Sequence, residues 1–401
     1  MRFLLLAPFL FAAQAAQPPR PVPPTRFVEP AGGRFALAAD AGSRWVAFDL
    51  TPGNQVRFEM LVDGRPATAL LDTGVSFTIL SKAFAGVDPA RVRPGGNATA
   101  IGGALAVGWT PLRFLQIGAL TRTGGELAVA KLPAVATGSA DGVDLLVGRD
   151  LLAGHALDID YPGKRFRLLP SGARPFAGAG APLAVSAARR VYEGEITVNG
   201  RRIAPVVVDT GDGSAVSLPR ARWRAAGLDR LRTTTAIAYG AGGAVVSELA
   251  VLPSVGLGAL RTGEVEVRQE PRGGYSEAIG AAGRVGTGLL GRYRVLLDPR
   301  AGRMVLSPGP EADRPAPRST SGLLMGILPD RARVLHVMRG GPGAAAGWKA
   351  GEEVCAVDGT PIDRSYPTSP LATWTAGEPG RVVRLRLCGG GERTLTLRRF
   401  Y

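Results

Sequence analysis

Two stretches of the chain run an apolar strand straight into the same tripeptide: Leu70-Leu71-Asp72-Thr73-Gly74 and Val207-Val208-Asp209-Thr210-Gly211. A carboxylate at the inner end of a buried strand costs free energy unless it is paired, hydrogen-bonded or protonated. Two such carboxylates brought face to face can share one proton, which relieves the burial of both. The short Thr can hydrogen-bond locally, and Gly lets the chain turn sharply beside the carboxylate.

The surroundings of the tripeptide repeat as well. Val62-Asp63-Gly64-Arg65 precedes the first copy and Val198-Asn199-Gly200-Arg201 the second. Asp-Gly and Asn-Gly are strong signals for two-residue hairpins. Each copy therefore reads as strand, tight turn, strand, Asp-Thr-Gly. The aspartates lie 137 positions apart, from 72 to 209, far enough for each to belong to its own small lobe.

The remaining composition narrows the chemistry. Only His155 and His336 are histidines, which argues against His-based metal sites and Ser-His or Cys-His catalysis. No metal and no cofactor is expected, and carboxylates are left as the acid-base groups. The 56 Gly and 32 Pro favour a strand-and-turn protein over a helical one. The formal charge of +15 is carried almost wholly by Arg, since Lys82, Lys131, Lys164 and Lys349 are the lysines. These charges are scattered and no nucleic-acid module is visible, so a nucleic-acid partner is not expected.

Met1-Arg2, an apolar run from Phe3 to Ala13 and the exit Ala13-Gln14-Ala15 read as a secretory signal peptide over residues 1–16. That run is too short to anchor in a bilayer. A periplasmic or secreted protein, with no transmembrane helix in its mature chain, is the expectation. Residues 17–44 are read as a Pro-rich mobile leader, with order beginning near Trp45. Ala98 to Val107 reads as two strands around Gly102-Gly103, and Tyr239-Gly240-Ala241-Gly242-Gly243 is its counterpart in the second half. Either hairpin could serve as a lid or be an ordinary turn. Leu146-Val147-Gly148 and Leu289-Leu290-Gly291 look like corresponding buried strands, on which reading the second half lacks most of a helix present in the first.

These motifs resemble those of the aspartic proteases, in particular bacterial members with retroviral-type Asp-Thr-Gly loops. The resemblance spans residues 45–308 and implies a mostly β, bilobal acid-protease fold of two closed barrel-like lobes, 45–172 and 180–308. It implies Asp72 and Asp209 as catalytic, Thr73, Gly74, Thr210 and Gly211 as their support, and Gly102, Gly103, Tyr239, Gly240, Gly242 and Gly243 as substrate-binding flaps. A polypeptide would be the substrate, and a monomer is expected because both halves lie on one chain. The sequence departs from the pattern at Asp212, where pepsin-like enzymes carry Ser or Thr and retroviral types Ala. A third carboxylate there either raises the pair's pKa values by repulsion or points to solvent as a turn residue, the latter being the simpler reading.

After a Pro-punctuated linker at 309–320, residues 321–401 resemble a PDZ domain of the bacterial periplasmic-protease kind, a small β-sandwich or barrel with short helices. The resemblance rests on Leu323-Leu324-Met325-Gly326-Ile327, Gly341-Pro342-Gly343-Ala344-Ala345-Ala346-Gly347 and Val357-Asp358-Gly359-Thr360-Pro361. It implies that Leu324, Met325, Gly326 and Ile327 bind peptide C-termini or internal peptide segments. Cys355 and Cys388 fall in expected neighbouring strands, where a disulfide is possible. A protease with PDZ-assisted recognition is the leading expectation. An inactive peptide-binding scaffold is the alternative.

Overall fold

The computed structural model describes residues 30–137 and 142–401. The expected signal peptide, and the leader up to residue 29, lie outside them. Among the described residues there are four open sheets, of eleven, ten, six and six strands. None closes on itself, so the barrel-like lobes and the small C-terminal barrel expected from the sequence are open sheets instead. Among the described residues, no helix is long and apolar enough to cross a membrane.

The first large sheet is laid down by alternation. In Val56–Val62 the side chains of Val56, Phe58, Met60 and Val62 are buried while Arg57, Glu59 and Leu61 point outward. Asp63-Gly64 closes the hairpin to Arg65–Leu71, both residues at positive φ. Arg65–Leu71 then lies parallel to Leu145–Val147, with Leu71 opposite Val147, and Leu145–Val147 pairs on its other side with Ile79–Ser81. Asn199-Gly200 turns the second large sheet in the same way. There Arg201–Asp209 lies parallel to Gly283–Gly286, which pairs in turn with Val216–Leu218.

This register corrects one part of the sequence reading. Leu289-Leu290-Gly291 is not the buried strand: Leu289 and Leu290 end a short helix, Thr287–Leu290, and Gly291 caps it. The strand is Gly283–Gly286, with Asp209 opposite Gly286. The helix counted as lost is present, as the partner of Arg149–Leu152 in the first half. Twelve positions separate Gly148 from Asp160 and likewise Gly286 from Asp298. Ordered structure also begins earlier than Trp45. Arg34–Leu37 pairs with Leu120–Thr123 through backbone hydrogen bonds at a sheet edge, a role that needs no distinctive side-chain pattern.

A six-stranded sheet joins the two halves. Its central pair is Ala156–Asp160 from the first and Tyr293–Asp298 from the second, with Leu157 opposite Leu297. Asp158, fully buried there, accepts from Arg167 Nε at 2.9 Å and from Arg294 Nε and Nη2 at 3.0 and 2.9 Å. Both guanidinium groups also stack on Trp45. Part of the arginine excess is thus structural.

Residues 323–396 form the fourth sheet, with Leu323–Ile327 on its edge and a core of its own around Val334, Trp348, Val354 and Leu385. Cys355 and Cys388 are joined in a disulfide within it, Cα atoms 5.0 Å apart.

Removing Asp158 takes away the buried carboxylate that two guanidinium groups share. Asp158→Ala is expected to cost about 3–5 kcal/mol, read from the urea midpoint. A loss below about 1 kcal/mol would show that the ion pairs do not tie the halves together.

Candidate active site

Asp72 and Asp209 end strands that become wholly apolar as they approach them: Ala69, Leu70 and Leu71 on one side, Val206, Val207 and Val208 on the other. Both carboxyl groups are buried. Each accepts from the amide two residues on, Gly74 N to Asp72 Oδ1 and Gly211 N to Asp209 Oδ1, both at 3.0 Å. The two loops cross. A Cβ on Gly74 would fall 2.3 Å from Asp209 Cγ, and one on Gly211 would fall 2.3 Å from Asp72 Cγ. Any side chain at either glycine would push the carboxyl groups apart.

The threonines fix this approach. Thr73 Oγ1 donates to Val208 O at 2.6 Å and accepts from Thr210 N at 3.0 Å. Thr210 Oγ1 donates to Leu71 O at 2.8 Å and accepts from Thr73 N at 3.0 Å. Four buried backbone groups, two from each half, are satisfied by side chains of the other half.

Burial comes first among the causes that push Asp72 well above the usual carboxylate range, followed by the charge of Asp209 and the hydrogen bond between the two carboxyl groups. Burial and then the charge of Asp212 push Asp209 up to about 6, while Arg284 and the hydrogen bond from Asp72 pull it down. The two groups titrate as one pair, and a proton held between them relieves the repulsion of two buried charges.

Asp212 is not a solvent-facing turn residue. It is buried, with Oδ2 at 3.3 Å from Arg284 Nε and Oδ1 accepting from Ser214 N at 2.9 Å. Burial alone would raise its pKa, but Arg284 and the Ser214 bonds outweigh it, and Asp212 stays below the usual range. Arg284 also meets Glu270 at 3.2 Å and lies over the Tyr275 ring, 5.1 Å from its centroid. The Tyr275 hydroxyl in turn donates to Gly74 O at 3.4 Å. Arg284, Glu270 and Tyr275 escape a reading based on tripeptides. The twelve-residue spacing was the signal that could have found Arg284, because it aligns Arg284 with Leu146 of the first half.

Above the pair, Arg93–Ala100 with Gly103–Pro111 and Thr234–Gly240 with Gly243–Leu252 form two hairpins. Their tips touch, Gly242 N donating to Ile101 O at 2.9 Å. A Cβ on Gly102 would lie 2.3 Å from Gly243 O, and one on Gly242 would lie 2.4 Å from Gly103 N. Between carboxylates and tips runs a cleft of about 1400 Å³. Gly102, Gly103, Tyr239 and Gly240 line it, and so do Leu324, Met325, Gly326 and Ile327. Thr73 and Thr210 lie behind its floor, and the Cys355–Cys388 pair is away from it.

Residues 194–293 match the family model described as aspartyl protease. That stretch, about a quarter of the chain, is similar to an aspartyl protease domain. The match takes in Asp209, the second hairpin and Arg284, and leaves the first Asp-Thr-Gly outside. No curated protein matches the chain.

Thr73→Val keeps the volume and deletes both bonds of the hydroxyl. It is expected to cost about 2–5 kcal/mol in urea unfolding, because the Val208 carbonyl and the Thr210 amide lose their partners. Thr73→Ser should recover most of that. Equal losses from Val and Ser would place the effect in packing rather than in hydrogen bonding.

Proposed function

We propose that the protein is an aspartic endopeptidase whose two lobes each supply one carboxyl group, Asp72 and Asp209. The observation that carries this is the pair of buried carboxyl groups, brought together where the two loops cross, at the floor of a cleft roofed by two touching hairpins.

Water between the carboxyl groups attacks the scissile carbonyl carbon. Ionised Asp209 takes the water's proton, and Asp72 gives its proton to the carbonyl oxygen, leaving a gem-diol. Collapse of the gem-diol returns a proton to the pair, passes one to the departing amine and breaks the C–N bond. No covalent intermediate forms. The hairpins act as flaps that hold the substrate extended and exclude bulk water. Residues 321–401 act as a PDZ domain at the same cleft, recognising peptide segments. The Cys355–Cys388 bond and the signal-peptide pattern at residues 1–16 support an exported, periplasmic or secreted, protein. Having both halves on one chain supports a monomer.

Denatured protein offered as substrate tests the reading. Wild type should cleave it and be blocked by a pepsin-type transition-state inhibitor. Asp72→Asn and Asp209→Asn should each lose about 10²–10⁴-fold in kcat/KM. Cleavage that survives either substitution would end the dyad mechanism.

The pH window follows from the same groups. Below about pH 6 Asp209 gains a proton and the pair lacks a base, and above the raised pKa of Asp72 it lacks an acid. Activity should therefore rise through about pH 6 and fall once the raised pKa of Asp72 is passed. Asp212→Asn removes a negative charge beside Asp209 while keeping an oxygen for the Ser214 amide. Asp209 then ionises more readily, and the acid limb of the kcat/KM profile should move to lower pH. An unmoved acid limb would show that Asp212 does not tune the pair.

A further inference from the structure

The same cleft reaches further than a carboxyl pair and two flaps require. Leu323–Ile327 is the edge strand of the C-terminal sheet, paired on one side only, with Ala332–Val337. Its residues from Leu324 onward line the cleft that holds Asp72 and Asp209, as does Leu335 beside it. An unpaired strand edge offers a row of backbone donors and acceptors to an extended chain.

The side chains flanking that edge are apolar and open. Val246 of the second flap is 46 % exposed and Ile327 38 %, unusually high for large apolar side chains. Both line the cleft, as does exposed Val135. Apolar side chains gathered along one groove, rather than scattered, mark a surface that another chain covers.

The C-terminal sheet is held in register with the second flap. Thr235 Oγ1 and His336 Nε2 lie 2.8 Å apart, Thr234 Oγ1 donates to Arg339 O at 2.8 Å, and Arg339 Nη1 donates to Glu248 Oε1 at 2.7 Å. Met338 and Phe400 pack with Ala236 and Leu249 beneath. His336 is the register partner of Leu324, so the edge strand starts beside the base of the flap hairpin. From Thr235 to the tip at Gly240 is five residues, about 17 Å of extended strand.

We propose that one extended polypeptide occupies both places, cut between Asp72 and Asp209 while its continuation adds as a strand to Leu323–Ile327. This rests on the endopeptidase reading and adds a substrate class: unfolded chain carrying apolar side chains about five or more residues to one side of the cleaved bond. The continuation gains affinity from the strand edge and from Ile327, Met325 and Val246, so a short peptide that fills only the floor of the cleft is a poor substrate.

The test uses the full chain and two sets of synthetic peptides sharing one cleavable core. The first set stops about three residues from the scissile bond. The second continues about eight residues further, alternating Val and Ser, on one side or the other. Wild type should cut one of the two long series at least about tenfold more efficiently than the short peptides. Ile327→Asp, a change at an exposed position, should bring the ratio of long- to short-peptide efficiency down to about one. Leu61→Asp, equally exposed but outside the cleft, should keep the gain. Fluorescence binding to the Asp209→Asn variant should repeat the pattern without turnover. Equal rates for long and short peptides, or an Ile327→Asp protein that slows both alike, would overturn the proposal while leaving the endopeptidase reading intact. If wild type cuts no peptide at all, the endopeptidase reading fails, and this extension fails with it.

Discussion

Each half of the molecule is incomplete at the point where its carboxylate emerges. The Asp-Thr-Gly turn of one half buries a carbonyl and an amide whose partners are a threonine hydroxyl of the other half. A buried backbone group without a partner costs about 1–3 kcal/mol, and four are at stake, so the crossing is held far more tightly than side-chain packing alone would hold it. Held that way, the glycine backbones leave no room for a Cβ, and the two carboxyl groups face one another in a dry site. The upward shifts of Asp72 and Asp209 follow from that geometry, since neither ion can be solvated there and both cannot be charged together. The strand pair through Asp158 and Arg294 is the second tie across the same boundary.

The repeat is regular in its backbone and broken in its charges. At matching positions behind the two carboxylates the first half has Leu146 and the second Arg284. A buried guanidinium needs anions, and Asp212 and Glu270 supply them. Burial draws Asp72, Asp209 and Asp212 upward, yet Asp212 lies below its ordinary range, because it has a guanidinium at 3.3 Å and the Ser214 amide bond together. The cluster therefore acts on Asp209 in two opposed ways, Asp212 disfavouring its ionisation and Arg284 favouring it.

Much of this was legible in the sequence because it rests on local rules. Asp63-Gly64 and Asn199-Gly200 could hardly be anything but tight hairpins, and an apolar run ending in Asp-Thr-Gly twice leaves the carboxylates few partners but each other. What escaped was whatever depends on pairing at a distance. Leu289-Leu290-Gly291 has the apolar look of a buried strand, but Gly283–Gly286 takes that place because the glycines at its two ends admit the neighbouring backbone. A Cβ on Gly286 would lie 2.1 Å from Asp212 O. Arg284 was hidden for a related reason: an arginine in a glycine-rich segment reads as surface until the register turns it inward. Arg34–Leu37 joins its sheet through backbone groups, which leave no mark on composition.

The hairpin tips meet over the carboxylates, so a polypeptide can enter only if they part. Moving the second hairpin would strain the Thr234, Thr235 and Glu248 bonds to the C-terminal sheet and the packing of Ala236 and Leu249 against Met338 and Phe400, besides the tip contact itself. Moving the first hairpin parts the same tips without touching any of those ties. The first hairpin has ties of its own, Trp109 edge-on to Phe77 and packed with Ile79 and Ala128, and an ion pair from Arg93 to Glu126. Two backbones related by repetition are thus held differently, the first by its own half and the second by the sheet that the C-terminal residues add to the side of the cleft.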